Sequence, residues 1–148
     1  MKRLLACGAF ALALTTGGSA ALAQSAPRTY DNGPVVETSY VETKPGMFDD
    51  YMQYLSTTWR AEQEAAKKDG DVIDYHVLAV DHPRAGEPDL VLVVIYKNMA
   101  VFDRSLDSLD ARTAKLEGSV LKSNQGFVSR SSIRTLRGSV LSRELMFK

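Results

Sequence analysis

The residues of this chain whose chemistry could exceed packing are two histidines, a run of arginines and a set of aromatic side chains. His76 lies inside an apolar stretch, Val72-Ile73-Asp74-Tyr75-His76-Val77-Leu78-Ala79-Val80. An imidazole titrates near neutrality, so it can move a proton or ligate a metal; in packed regions such a group is more often a hydrogen-bonded structural residue. His82 stands with Asp81, Glu87 and Asp89 in a loop that also holds Pro83 and Pro88. Nitrogen and oxygen ligands are present there, but not the spacing of a metal site, and the loop reads as a solvated acidic hairpin tip. Neither a metal nor a cofactor is expected.

Arg130, Arg134 and Arg137 recur at spacings of four and three, so on a helix they would share a face able to hold a carboxylate or phosphate. The whole stretch from Gly118 to Arg143 lacks an acidic residue, whereas residues 61–110 carry an acidic excess. Pairing between these two regions is the plainer use of the charges. Tyr40, Tyr51, Tyr54 and Trp59 could border a cavity between sheet and helices, although an aromatic stripe at helical spacing usually belongs to a core. The ligand-binding candidates are therefore Tyr40, Trp59 and His76, with Arg130 and Arg134 at the mouth. If the parity of its strand is reversed, His76 faces away from the helices. No Gly-X-Ser-X-Gly elbow, phosphate-binding glycine loop or dinucleotide fingerprint is found.

These residues need elements to position them. Val72 to Val80 and Leu90-Val91-Leu92-Val93-Val94-Ile95-Tyr96 read as strands, rich in Val, Ile, Leu and Tyr and bounded by Pro, Gly and Asp. Their connector is too short for a crossover helix, so they pair antiparallel and should form the centre of the sheet. Val35 to Thr43 reads as a first strand and Val140 to Phe147 as a last one. Phe48, Tyr51, Met52, Leu55 and Trp59 mark an amphipathic helix that Gly70 can end. Asn98 can cap a second helix carrying Phe102, Leu106, Leu109, Leu116 and Val120, which Gly118 either ends or interrupts. A short helix is expected around Val128 to Leu136.

The order strand, helix, strand, strand, helix, strand predicts an α+β, ferredoxin-like βαββαβ antiparallel sheet with both helices on one face, plus an extra helical segment before the last strand. A sheet covered on one side should have a polar second face, yet Leu90 to Tyr96 is apolar at every position. A second copy of the chain is the simplest cover, because two-fold dimers are the commonest assemblies. The alternative cover is the segment from Ser119 to Gly138.

Lys2-Arg3, an apolar run from Leu4 to Leu14 and Ala21-Leu22-Ala23 have the layout of a secretory signal peptide, residues 1–23, and predict a periplasmic or secreted protein. Residues 24–34 read as a flexible leader and 35–148 as a single domain. The apolar run is too short to span a bilayer, so no stable membrane insertion is expected after cleavage. Cys7 is the one cysteine of the chain and would be removed, leaving no disulfide or thiol nucleophile. Loss of Lys2 and Arg3 from 18 basic residues leaves 16 against 18 acidic ones, which offers no footprint for nucleic acid.

The string Val-Glu-Thr-Lys-Pro-Gly-Met-Phe-Asp-Asp-Tyr at 41–51, Gly70 with Tyr75, the Asp81-His82-Pro83 corner and Val94-Ile95-Tyr96-Lys97-Asn98 leading to Ala100-Val101-Phe102-Asp103 resemble the dimeric α/β-barrel superfamily. That superfamily includes antibiotic-biosynthesis-type monooxygenases, haem-degrading enzymes and exported proteins of unknown role. The resemblance implies the fold and a homodimer. It carries no catalytic residue, because Phe102-Asp103-Arg104-Ser105-Leu106 lacks the histidine of several catalytic branches, and the first strand lacks the asparagine of the haem-degrading ones. The leading expectation is an exported homodimer that binds a small, partly apolar ligand in the helix-sheet cavity. A cofactor-independent monooxygenase-like enzyme and an interaction protein with a filled core are the alternatives.

Overall fold

The computed structural model describes residues 27–148; the expected signal peptide and residues 24–26 lie outside them. Four strands, β1 (Tyr30–Thr43), β2 (Val72–Ala79), β3 (Leu90–Tyr96) and β4 (Arg134–Phe147), form one antiparallel sheet in the order β2-β3-β1-β4. The helices are α1 (Phe48–Tyr54), α2 (Arg60–Lys68), α3 (Leu106–Glu117) and α4 (Val120–Ser129). This is the ferredoxin-like arrangement. The β2–β3 hairpin forms as expected, but it is not the centre of the sheet. Crossover wiring inserts β1 between β3 and β4, which leaves β2 at an edge.

β1 starts at Tyr30, ahead of the expected Val35. Residues 30–34 read as leader because they are turn formers, yet Tyr30, Asp31 and Asn32 pair with Phe147, Met146 and Leu145. A register shift between Asn32 and Val35 absorbs Gly33 and Pro34, since a bulge tolerates a residue without an N–H. A side chain at Gly33 would be crowded: a Cβ would lie 3.0 Å from Met146 Cγ and 3.2 Å from the Glu144 carbonyl.

α1 and α2 are one helical run joined by a π-helical turn, Leu55–Trp59. Within it the Thr57 hydroxyl donates to the Gln53 carbonyl at 2.7 Å and that of Ser56 at 3.1 Å. The turn keeps Tyr51, Leu55 and Trp59 on one stripe, all three buried against Val41, Leu90, Leu92 and Val94 of the sheet. Each fully buried Leu or Val contributes about 1.5–3 kcal/mol. Gly70, at φ +77°, ends the run.

Beyond β3 the sequence reading needs correction. Asn98 Oδ1 accepts from Ala100 N, but it caps a 3-10 turn, Met99–Asp103; Ser105 caps α3 instead. Gly118, at φ +87°, ends α3, and Ser119 caps a separate α4. The helix expected around Val128 to Leu136 is not there. α4 stops at Ser129, one 3-10 turn spans Arg130–Ser132, and β4 begins at Arg134. Arg130, Arg134 and Arg137 therefore do not share a helical face. The extra segment packs on the helical side of the sheet, where Arg130 lies over Tyr54 and Arg134 near Tyr51, and does not roof the outer face.

The outer face carries Asp74, Ile95, Val36 and Ser142 in one row and His76, Val93, Thr38 and Val140 in the next, followed by Leu78, Val91, Tyr40 and Gly138. Leu78 and Val140 are each about half exposed. At the opposite end of the helical layer the buried Asp71 carboxylate receives Arg104 and, at 3.1 Å, Arg112. This ties the start of β2 to α3 and the turn before it.

Candidate functional site

A cavity of about 430 Å³ opens between α2 and the α3–α4 pair. Its walls are set by the helical run. Leu55, Trp59, Glu62 and Ala66 follow one another at spacings of four, three and four, so Glu62 occupies a core-facing position of an otherwise apolar stripe. From α3, Glu117 meets it. Burial pushes the Glu62 carboxyl up to about 7, helped by the neighbouring Glu117 charge and by a hydrogen bond between the two carboxyls, and opposed by the Arg130 guanidinium. The Glu62 carboxyl thus holds its proton into the neutral range, the usual outcome when like charges must share one site.

Arg130, at the end of α4, lies 4.1 Å over the ring of Tyr54. Tyr54 in turn stacks on Tyr51, with ring centres 5.6 Å apart. Burial is the main cause that lifts the Tyr54 phenol to about 12 and also raises Tyr51. Tyr96, another wall residue, is raised by burial and by donating to Glu37 at 2.8 Å. All three phenols stay protonated, and that of Tyr96 donates. Arg112 also lines the cavity, but its charge is spent on Asp69 and Asp71. The site thus has a carboxyl that titrates near neutrality beside a second carboxyl, one stacked guanidinium, two phenols, and the apolar Phe127, Leu116 and Val72. It can take a molecule with both polar and apolar parts, and it can supply or accept one proton near neutral pH.

The five residues singled out from sequence do not converge on this cavity. Arg130 lines it, and Arg134 lies nearby, buried against Tyr51 and Phe127. Trp59 sits on the opposite flank of the helical run, in a groove of about 310 Å³ with Met52, Leu55, Tyr75 and Val77, its indole edge-on to Tyr75 at 5.3 Å. Tyr40 and His76 are on the outer face of the sheet, away from every helix. His76 pairs across from Val93, and its Nε2 lies 3.8 Å from an Asp74 carboxylate oxygen. Glu62, Glu117 and Tyr96 are the cavity residues that sequence reasoning missed. A usable signal existed for Glu62, a carboxylate at the spacing of the apolar stripe. Among the described residues no group of three or more His, Cys, Asp or Glu could hold a metal ion, and no helix is long and apolar enough to cross a membrane.

No family model and no curated protein matches the chain. Solved structures do. HapK from Hahella chejuensis superposes with a TM-score of 0.51 at 10% identity, covering 74% of this chain and 91% of that one. Protein SO0527 from Shewanella oneidensis gives 0.48 at 11% identity, over 79% and 96% of the two chains. A dimeric ferredoxin-like protein from an uncultured marine organism gives 0.46 at 17%, over 78% and 96%. At such identities the likeness speaks to the fold alone, and the fold is ferredoxin-like.

Proposed function

We propose that the protein is an exported homodimer that takes up a small, partly apolar ligand in the cavity between α2 and the α3–α4 pair. The observation that carries this reading is the cavity's interior, where a carboxyl pair and a stacked arginine line open space. Ionisable groups drawn partly out of water contribute little to stability compared with apolar side chains of the same volume, so their presence argues against an interior built only for packing. Export is supported by Lys2-Arg3, the apolar run after them and Ala21-Leu22-Ala23. Dimerisation is supported by the outer face, where Val91, Val93 and Ile95 stand between Leu78 and Val140 with no helix of the described residues against them.

A second reading, a cofactor-independent monooxygenase-like enzyme, is favoured by Glu62. A carboxyl that titrates at about 7 inside a cavity is matched to taking a proton from a bound substrate. Native mass spectrometry of protein purified from its source tests the binding reading. A dimer carrying a small molecule is the expected result, with the adduct lost in Arg130→Ala and kept in His76→Ala, which changes the other face. A dimer with only the mass of its polypeptides refutes it. Dioxygen uptake when that molecule is added back separates the enzyme from the carrier.

A further inference from the structure

Arg134 is a buried cation with no anion. It opens β4, where its backbone pairs with Thr43, and its side chain runs beneath the helical layer at 6% exposure. Its guanidinium lies 5.1 Å from the Phe127 ring centre and 5.6 Å from that of Tyr51. Nε is buried and makes no hydrogen bond, as is also true of Arg130 Nε. Neither arginine takes part in any ion pair among the described residues. The carboxylates on the neighbouring strand ends are already engaged: Glu42 by Arg137, and Asp89 by the backbone N–H and hydroxyl of Thr43. Ring faces offset part of the lost hydration of a guanidinium, but they leave the buried Nε–H without an acceptor, and buried donors are nearly always paired.

A cleft of about 410 Å³ lies over this residue, with Phe127, Val128 and Leu136 as apolar walls. Ser131 and Thr135 bring hydroxyls to it, and no acidic residue lines it. Lys44 adds a second positive charge, donating to Thr135 Oγ1 at 2.8 Å. Phe127 lines both this cleft and the larger cavity.

We propose that Arg134 anchors the anionic head, a carboxylate or comparable oxyanion, of the small amphipathic ligand, whose apolar body runs along Phe127, the wall that this cleft shares with the larger cavity. The inference rests on the binding reading above and gives the ligand its charge. Two fluorescent probes that differ by one anionic group, anilinonaphthalene sulfonate and the neutral phenylnaphthylamine, test it on the intact protein. A charge-assisted contact to a buried guanidinium predicts that the sulfonate binds about tenfold or more tightly than the neutral probe. Arg134→Gln should bring the two affinities within about twofold of each other by weakening only the sulfonate, and Arg134→Lys should retain the preference. Octanoate, but not octanamide, should displace the sulfonate from the unmodified protein, which keeps the test valid if a variant fails to fold. Equal affinity for both probes, or a preference that persists in Arg134→Gln, overturns the inference while leaving the binding reading intact. Absence of binding by either probe removes both.

Discussion

Replacing Glu62 by glutamine should make the folded protein less sensitive to pH. Glu62 has its midpoint raised from 4.5 to about 7 in the fold, so between those values the folded chain holds a proton that the unfolded chain has released. Stability from this group is therefore fully present below pH 4.5 and lost as pH rises through 7. At 1.36 kcal/mol per pH unit the loss is at most about 3.4 kcal/mol, and solvent reaching the half-buried carboxyl reduces it to about 1.5–2 kcal/mol. Glutamine keeps a donor for Glu117 and cannot ionise. Urea unfolding followed by Trp59, the chain's one tryptophan and a buried one, reads this directly at fixed protein concentration. Glu62→Gln should match the parent at pH 4 and exceed it by about 1.5–2 kcal/mol at pH 8.5, a midpoint difference of about 1 M urea. Two curves that run parallel from pH 4 to 8.5 would mean that the Glu62 midpoint is not raised in the fold, and the account of the cavity fails with it.

Asp71→Asn should cost about 3–5 kcal/mol, because Arg104 and Arg112 lose a buried counter-charge; a thermal melt lowered by less than a few degrees contradicts this. Gly118→Ala places a side chain at φ +87° and should destabilise by about 1 kcal/mol in chemical unfolding, with no effect on probe binding. Val93→Glu puts a charge in the middle of the outer face, so sedimentation at micromolar concentration should change from dimer to monomer without loss of helix content by circular dichroism.

Much of the fold was legible because its signals are local. β3 is a short apolar run between Asp89 and Lys97, and the hairpin follows from the length of its connector. Gly70 and Gly118 adopt the positive φ that a helix end requires. What was not legible depended on which elements cover which faces. The alternation along β1 separates Val35 and Val41 from Val36 and Tyr40, but only the helices decide that the first pair is the core. In β2 a register shift between Val72 and Asp74 resets the parity, so His76 could not be placed from spacing. β4 is mostly exposed beyond Arg134, so selection by burial left no period of two to read, and the arginine spacing imitated a helix. The site suffered most. Arg130 was found through its charge, whereas Glu62 is one carboxylate among many until α3 brings Glu117 against it.

The π-helical turn between α1 and α2 sets the phase of the cavity wall. One extra residue in a helix rotates everything after it by about 100° relative to everything before. A chain one residue shorter here would aim the Glu62 position elsewhere, with Tyr51 and Tyr54 unmoved. The stacked tyrosines and Glu62 are thus on two independently phased halves of the same rod, and a single-codon deletion in the Ser56-Thr57-Thr58 stretch would uncouple them without touching either.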